Sequence, residues 1–411
     1  MLMEAPQVVS TERWYSSASV EFVMVPPHAI CRFVPWPIAA AICSLFLLSS
    51  ISCSSNATSP QAKPVAVDSE FNVPDGTPSE IITFVENIKK RKPKFKNNDE
   101  AMAFAVNAQK AFISAGDKIL KQETSPEIAA NAAKMKMAAM FMLAEGQIED
   151  FSKQLIGEVT KLKQDKRPSV AQLGEMLWRP AQVMSAPAMT STEREKLTEE
   201  LFADLPKAKY SQESVGALVQ LANTLGSAGK PEDGGAIYER LAKIAGESTD
   251  ANFRSNAEIF QATARRIQLP GNKFVLNGKM LTGEEINWDS YRGKVVLIDY
   301  WATWCGPCLQ ELPNVKKNYE KYHDKGFDVI GISLDESRSK LQEFVDQQKI
   351  PWPQMFDDSR DMGWAHPMAK YYGISSVPTA ILVDKDGNVV SMTARGGELS
   401  ALLEKLLGKA N

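Results

Sequence analysis

The stretch Lys294–Cys308, which reads KVVLIDYWATWCGPC, decides the fold of the last third of this chain. Its first half is a continuous apolar run of the length and composition typical of a buried strand. The run leads into two cysteines separated by two residues, and a helical pattern follows to about Lys325. The order predicts a strand, a short connection and a helix that begins beside Cys305.

The pattern downstream predicts the rest of an α/β domain. Residues 327–334 form a second apolar run, and residues 379–383 and 389–392 are spaced as a hairpin around a turn sequence, DKDG. Helices are predicted at 337–348, near 369–372 and at 399–407. A strand–helix–strand unit followed by a hairpin and a helix predicts a mixed sheet with helices on its faces, within a domain at 269–411.

The middle of the chain, residues 78–268, has a helical apolar period throughout and predicts an all-α domain of seven to nine helices. One part is similar in spacing to a tetratricopeptide repeat, but no second copy lies in register. A bundle and a degenerate set of helical repeats therefore both stay open. The repeat-like positions are Leu221, Ala222, Leu225, Gly229, Gly234, Tyr238 and Leu241. Four methionines, at 135, 137, 140 and 142, are expected in the core rather than at a cofactor site.

The N-terminal part of the sequence predicts export. An apolar run at residues 34–51, preceded by Arg32, is rather short for a membrane span and fits a signal peptide within residues 1–53. Its end resembles a bacterial lipoprotein cleavage site, with Cys53 as the lipidated residue. Cleavage by an ordinary signal peptidase and an uncut anchor are the alternatives. Residues 54–77, rich in Ser, Ala, Pro and Asn, predict a flexible tether.

The charge and the cysteine and histidine content of the chain disfavour several kinds of binding site. A net charge of −3 gives no electrostatic reason to expect a nucleic acid as partner. Three of the five cysteines lie within residues 1–53, so only Cys305 and Cys308 remain beyond them, too few for a structural disulfide framework. Three histidines in the chain are too few for a convincing zinc site, and Leu309 stands where haem attachment requires a histidine. Neither a metal nor a cofactor is expected.

The placement of the cysteines predicts their division of labour. At a helix N-terminus Cys305 faces unpaired N–H groups and the positive end of the helix dipole, which favour its thiolate. Cys305 is therefore expected to attack a substrate disulfide, and Cys308, shielded one turn later, to resolve the mixed disulfide. A carboxylate should accept the proton of Cys308. Asp299, on the entering strand, is favoured, and Glu311, one turn beyond Cys308, is the second candidate.

Residues 274–407 resemble the thioredoxin superfamily and, within it, the exported TlpA/ResA-like branch. The sequence from Trp304 to Cys308 is the thioredoxin signature, and Val377-Pro378-Thr379 matches the cis-proline element of the family. The resemblance implies that this element faces the cysteines and binds an incoming extended peptide, so Trp304, Val377 and Pro378 are expected to contact substrate. Asp299 departs from the exported branch, which commonly has an uncharged residue at that position.

The resemblance implies a periplasmic or cell-envelope reductant of protein disulfides, with apocytochrome c as one substrate class and a membrane-embedded electron donor. A lipid or signal anchor would hold it at the membrane. Two other functions stay open. A peroxiredoxin-like thiol peroxidase is disfavoured because Ile298 and Ala302 stand where its proline and threonine or serine belong. A helical binding scaffold with an accessory redox domain is the other.

Overall fold

The computed structural model describes residues 69–148, 150–358 and 363–409. A helix-rich region precedes a thioredoxin-like α/β region built on one five-stranded sheet. The predicted signal segment, with Cys53, lies outside the described residues. Among the helices of the described ranges, none is both long enough and apolar enough to cross a membrane.

The described part of the first region contains ten α-helices, nine of them with eleven or more residues. Capping boxes begin two of the helices, in which the N-cap residues Thr77 and Thr190 pair with the third helical residues, Glu80 and Glu193 respectively. The helices are α1 (Pro78–Lys90), α2 (Asn98–Leu120), α3 (Pro126–Glu145), α4 (Phe151–Lys163), α5 (Pro168–Ser185), α6 (Ser191–Asp204), α7 (Gln212–Ser227), α8 (Pro231–Glu247), α9 (Ala251–Arg254) and α10 (Ala257–Ile267).

These helices pack mainly against their neighbours along the chain. Three apolar clusters follow one another through the region, and α3 contributes to the first two. The tetratricopeptide-like segment forms the α7–α8 pair, and Gly234 lies so close to α7 that a Cβ there would sit 2.4 Å from the Ala222 carbonyl oxygen. Of the four methionines, Met137 and Met140 are buried as predicted, whereas Met142 is 41% exposed.

The packed structure begins before the predicted boundary at residue 78. Phe71 is buried against the helices, with its ring 5.3 Å from that of Phe104. Lys118 donates to the Val73 carbonyl at 2.7 Å and pairs with Asp75 at 2.6 Å. The prediction of a flexible tether is therefore wrong for residues 69–77, because one aromatic side chain and backbone contacts hold a segment whose composition resembles a linker.

The sheet of the second region has the strand order β3-β2-β1-β4-β5. The central strand β1 is parallel to β2 and antiparallel to β4, which confirms the predicted mixed sheet. Only the two-residue β3 was not predicted. The elements are β1 (Val295–Trp301), α11 (Gly306–Tyr322), β2 (Phe327–Ser333), α12 (Arg338–Gln348), β3 (Gln354–Met355), α13 (Pro367–Tyr371), β4 (Thr379–Val383), β5 (Val389–Ser391) and α14 (Gly396–Leu407).

The two regions meet where α10 packs on α13. Arg265 donates to the Tyr371 carbonyl at 3.2 Å, and its guanidinium lies 4.4 Å from the ring of the same tyrosine. Arg266 donates to the carbonyl of Gly373. Because Gly373 has a φ of +59° and approaches Ala262 closely, this contact depends on a residue without a side chain.

Candidate active site

The sheet delivers two cysteines to the start of α11, where they form a disulfide with a Cα–Cα distance of 5.2 Å. Cys305 is the N-cap residue, and its sulfur accepts a hydrogen bond from the Cys308 N–H at 3.2 Å. In this oxidised state the two are about equally buried, with 5% and 6% of their surface exposed. Exposure therefore does not distinguish the cysteines here; their positions in the helix do.

A buried carboxylate anchors the connection that precedes the cysteines. Asp335 accepts hydrogen bonds from the Thr303 hydroxyl at 2.6 Å and from the Thr303 N–H at 3.1 and 3.2 Å. Ser333 donates to the same carboxylate at 2.8 Å. Asp335 was not predicted from the sequence. The sequence did contain an indication, because an acid two residues after the end of strand β2 lies at the same sheet edge as the end of the parallel strand β1.

Asp299 lies on β1 between Gly331 of β2 and Ala380 of β4. Its carboxyl group is largely shielded from water, and this desolvation is the main reason that its pKa rises from 3.8 to about 7. That value also includes a smaller increase from the negative charge of Glu311 and an opposing decrease from the positive charge of Arg395. A carboxyl with a pKa near neutrality can both accept and release a proton under ordinary conditions.

Glu311 is held by hydrogen bonds from two elements. Its Oε1 atom accepts from Asn314 Nδ2 at 2.6 Å and from the Gly396 N–H at 2.7 Å, at the start of α14. Glu311 is therefore not an ordinary solvated helix carboxylate. Asp299 and Glu311 were predicted as alternatives, whereas the structure places Glu311 close enough to influence Asp299 electrostatically.

The Val377–Pro378 peptide bond is cis, as the family resemblance implies. Both residues are partly buried, immediately before β4. The carbonyl oxygen of Pro378 accepts a hydrogen bond at 3.1 Å from Nη1 of Arg395. Arg395 was not predicted from the sequence, and no local pattern indicates it, because its contact is with a residue seventeen positions away.

Two tryptophans form an exposed aromatic pair next to the disulfide. Trp304, which directly precedes Cys305, is 56% exposed, and Trp364 is 45% exposed. Their ring centroids lie 6.2 Å apart, with the planes inclined by 54°. Large apolar side chains left in water beside a reactive group favour contact with another molecule. The sequence analysis predicted this role for Trp304 only.

The α/β region is similar in sequence to known proteins. The Redoxin family model matches residues 268–402. Thiol-disulfide oxidoreductase ResA from Bacillus thuringiensis subsp. konkukian is 33% identical over 31% of this chain and 70% of its own length. The ResA of Halalkalibacterium halodurans is 31% identical over 38% of this chain and 82% of its own length. The chain belongs to the ResA-like family.

This family membership confirms the resemblance and the enzyme class, a thiol–disulfide oxidoreductase. A solved thioredoxin domain of a thiol-disulfide oxidoreductase from Bacteroides vulgatus is also similar, with 29% identity and a TM-score of 0.31. That alignment covers 34% of this chain and 97% of the solved one. These similarities span roughly a third of the ResA-like chain, the third that carries the disulfide.

Proposed function

We propose that this chain is an extracytoplasmic reductant of protein disulfides whose working groups are Cys305 and Cys308. The observation that carries the proposal is the disulfide itself, formed at the N-terminus of α11 with Cys305 as the N-cap residue. A cysteine at this position lies at the positive end of the helix dipole, which stabilises its thiolate after reduction. Membership in the ResA-like family supports the same chemistry.

The first step is an attack on the substrate. The Cys305 thiolate attacks one sulfur of a substrate disulfide, so that a mixed disulfide forms and the other substrate sulfur leaves with the electron pair of the broken bond. That leaving thiolate takes a proton from solvent. Enzyme and substrate taken together are neither oxidised nor reduced in this step, because the mixed disulfide replaces the substrate disulfide.

The second step resolves the mixed disulfide. Cys308 loses its proton and attacks the sulfur of Cys305, the Cys305–Cys308 bond forms, and the second substrate thiolate leaves. Two electrons have then passed from the dithiol to the substrate. We assign Asp299 as the base, because a carboxyl with a pKa of about 7 can accept a proton near neutral pH. Glu311, fixed by Asn314 and Gly396, modulates that base through its charge.

Substrate docking is assigned to Trp304, Val377 and Pro378. The exposed face of Trp304 offers an apolar surface beside the reactive sulfur, and the cis-proline segment leads directly into strand β4, which begins at Thr379. An extended polypeptide with an apolar side chain near its cysteine fits such a surface. Protein disulfides are therefore proposed as the substrates, with apocytochrome c cysteines as one narrower class.

Reduction rather than oxidation is proposed because Gly306 and Pro307 separate the cysteines as in reducing thioredoxins. Continuous turnover then requires a donor of two electrons, for which a membrane-embedded protein is proposed. Residues 1–53 are proposed as an export signal, with Cys53 lipidated at its end. The enzyme would thus act in the periplasm or cell envelope on a tether that ends before Phe71, which is buried against the helices.

We further propose that the chain divides into a helical domain near 78–268 and a thioredoxin-like domain at 269–411. The neighbour-to-neighbour packing of the helices supports a degenerate helical-repeat stack more than a bundle around one core. The helical domain would hold the catalytic domain through the contacts of Arg265 and Arg266 and bind a partner on its remaining surface.

The test is a trap with the full chain. A Cys308→Ser variant cannot resolve mixed disulfides, so it should accumulate covalent protein adducts through Cys305 that mass spectrometry identifies. The double variant Cys305→Ser/Cys308→Ser is the matched control and should form none. If Cys308→Ser yields no adducts while the wild type reduces insulin, the assignment of protein substrates is wrong. Rapid hydrogen peroxide turnover by Cys308→Ser would instead favour the peroxidase.

A second measurement tests the direction of electron flow. The reduction potential of the Cys305–Cys308 couple is expected near that of thioredoxin, about −270 mV, rather than near that of the oxidant DsbA, about −120 mV. Equilibration with glutathione or dithiothreitol buffers gives this value directly. A potential at the oxidising end would contradict the assignment as a reductant while leaving the enzyme class intact.

A further inference from the structure

One arginine connects two parts of the active site that are distant in sequence. Nη1 of Arg395 donates a hydrogen bond to the Pro378 carbonyl oxygen at 3.1 Å. The same guanidinium acts electrostatically on Asp299. The next residue, Gly396, donates its N–H to Glu311 at 2.7 Å. The start of α14, with Arg395 as its N-cap and Gly396 as its first residue, therefore contacts the docking segment and interacts with both acids.

We propose that Arg395 is a positioning residue for the resolving step, which fixes the docking segment at Pro378 and holds Asp299 ready as a carboxylate. The inference rests on the proposed function, because the resolving step is part of it. In that step the proton of the Cys308 thiol passes to Asp299, the Cys308 sulfur bonds to Cys305, and the substrate sulfur leaves with the electron pair of the broken S–S bond.

The electrostatic half of the proposal follows from the charges around Asp299. Glu311 faces it from α11 and disfavours its ionisation, and Arg395 faces it from the start of α14 and favours ionisation. The strand neighbours, Gly331 and Ala380, carry no charge. Without Arg395 the two carboxylates would share a largely shielded space with no opposing charge, and Asp299 would retain its proton to higher pH.

The geometric half of the proposal depends on the shape of the guanidinium group. It carries five N–H donors in a planar fork, so it can donate to the Pro378 carbonyl while its charge acts on Asp299. A lysine at position 395 keeps the charge but lacks the fork, and a glutamine keeps an N–H donor but lacks the charge. The two substitutions therefore separate the two roles.

The first experiment follows the Asp299 carboxyl by carbon-13 NMR during a pH titration of the oxidised full chain. Arg395→Gln is expected to raise the titration midpoint by about one pH unit, whereas Arg395→Lys should leave it within about 0.3 unit of the wild type. Arg292→Gln is the matched control, because Arg292 is exposed and pairs with the nearby Asp289. A midpoint unchanged in Arg395→Gln overturns the proposal.

A variant that removes the opposing charge supplies an independent check. Glu311→Gln should lower the Asp299 midpoint, in the direction opposite to Arg395→Gln. Should Arg395→Gln fail to fold, Glu311→Gln and the double variant Arg395→Lys/Glu311→Gln decide the question. If Glu311→Gln leaves the midpoint unchanged, the charge balance at Asp299 is not as inferred and the proposal fails.

The second experiment measures release of substrate from a preformed mixed disulfide on Cys305. Arg395→Gln should slow this release about fivefold at pH 7, because a base with a raised pKa is mostly protonated there, and the deficit should vanish near pH 9. A purely structural role would give a deficit independent of pH. Because the NMR titration needs no substrate, a failure of the proposed function would leave that result standing, and the two failures are distinguishable.

Discussion

The carboxylate of Asp335 accepts hydrogen bonds from the hydroxyl of Thr303 at 2.6 Å and from the backbone N–H of Thr303 at 3.1–3.2 Å. This pairing joins the end of β2 to the residue two positions before Cys305. Since the N–H and the hydroxyl of Thr303 both donate to this carboxylate, the backbone that leads into the disulfide is fixed at Thr303. The relationship makes Asp335 a structural anchor of the redox site.

Replacing this anchor should destabilise the α/β region. Asp335→Ala leaves the Thr303 N–H and the Ser333 hydroxyl without their acceptor, and a loss of about 2–4 kcal/mol in the free energy of unfolding is expected. Thr303→Val removes the hydroxyl bond alone and should cost about 1 kcal/mol. Urea denaturation of the oxidised protein measures both.

The control for the anchor is Asp289→Ala, since Asp289 is exposed and pairs with Arg292 on the surface. A change below about 0.5 kcal/mol is expected there. The anchor role is contradicted if Asp335→Ala is no less stable than this control.

Asp299 should make the stability of the oxidised protein depend on pH. Its pKa is about 7 in the folded chain, against an ordinary value of 3.8 for an exposed aspartate, so between these pH values the folded state retains a proton that the unfolded state releases. Stability should therefore fall as the pH rises from 4 to 7. Asp299→Asn removes this dependence, and at pH 8 its free energy of unfolding is expected to exceed that of the wild type by about 4 kcal/mol, since each of about three pKa units corresponds to about 1.4 kcal/mol.

The measurement is chemical denaturation at a series of pH values, with Asp289→Asn as an exposed control. The wild type and the control should show the same slope, and Asp299→Asn a flatter one. Parallel curves for all three proteins would mean that Asp299 is ionised normally in the folded state.

The aromatic pair should matter for protein substrates more than for small ones. Trp364→Ala removes a ring that lies 6.2 Å from that of Trp304, and a loss of about fivefold to tenfold in kcat/KM for a protein disulfide is expected. A small disulfide that contacts only the sulfurs should be reduced at nearly the wild-type rate. Val390→Ala, at an exposed position of β5, serves as the control. Equal losses for both substrate sizes would exclude a docking role.

The helix crossing at Gly234 gives a matched pair of glycine substitutions within α8. A Cβ at Gly234 would lie 2.4 Å from the backbone oxygen of Ala222, so Gly234→Ala must force α7 and α8 apart and should cost about 2–3 kcal/mol. A Cβ at Gly246 meets nothing within 4 Å, and Gly246→Ala should be neutral or stabilise by up to about 1 kcal/mol. Thermal unfolding followed by circular dichroism compares them. Similar changes in both variants would contradict the close crossing.

The local sequence pattern was sufficient to predict most strands and helices of the α/β region. The apolar run of β1 predicts a buried strand, and the two cysteines after it predict a helix whose first turn holds the disulfide, because strand burial and helix starts are properties of neighbouring residues. Asp299 was identifiable for the same reason, since an acid within a buried strand stands out by composition alone. The helical period likewise predicts the first region, but not which helices pair.

Tertiary structure decided how the acids and the docking segment are arranged. Glu311 meets Gly396 across 85 positions, Thr303 meets Asp335 across 32, and Arg395 reaches back 17 positions to Pro378. None of these pairs shares a strand or a helix, so no periodicity relates its members. The sequence by itself determined the reactive pair and the strand that carries it. Only the folded sheet, which brings the end of β2 and the start of α14 to the start of α11, determined which charges surround them.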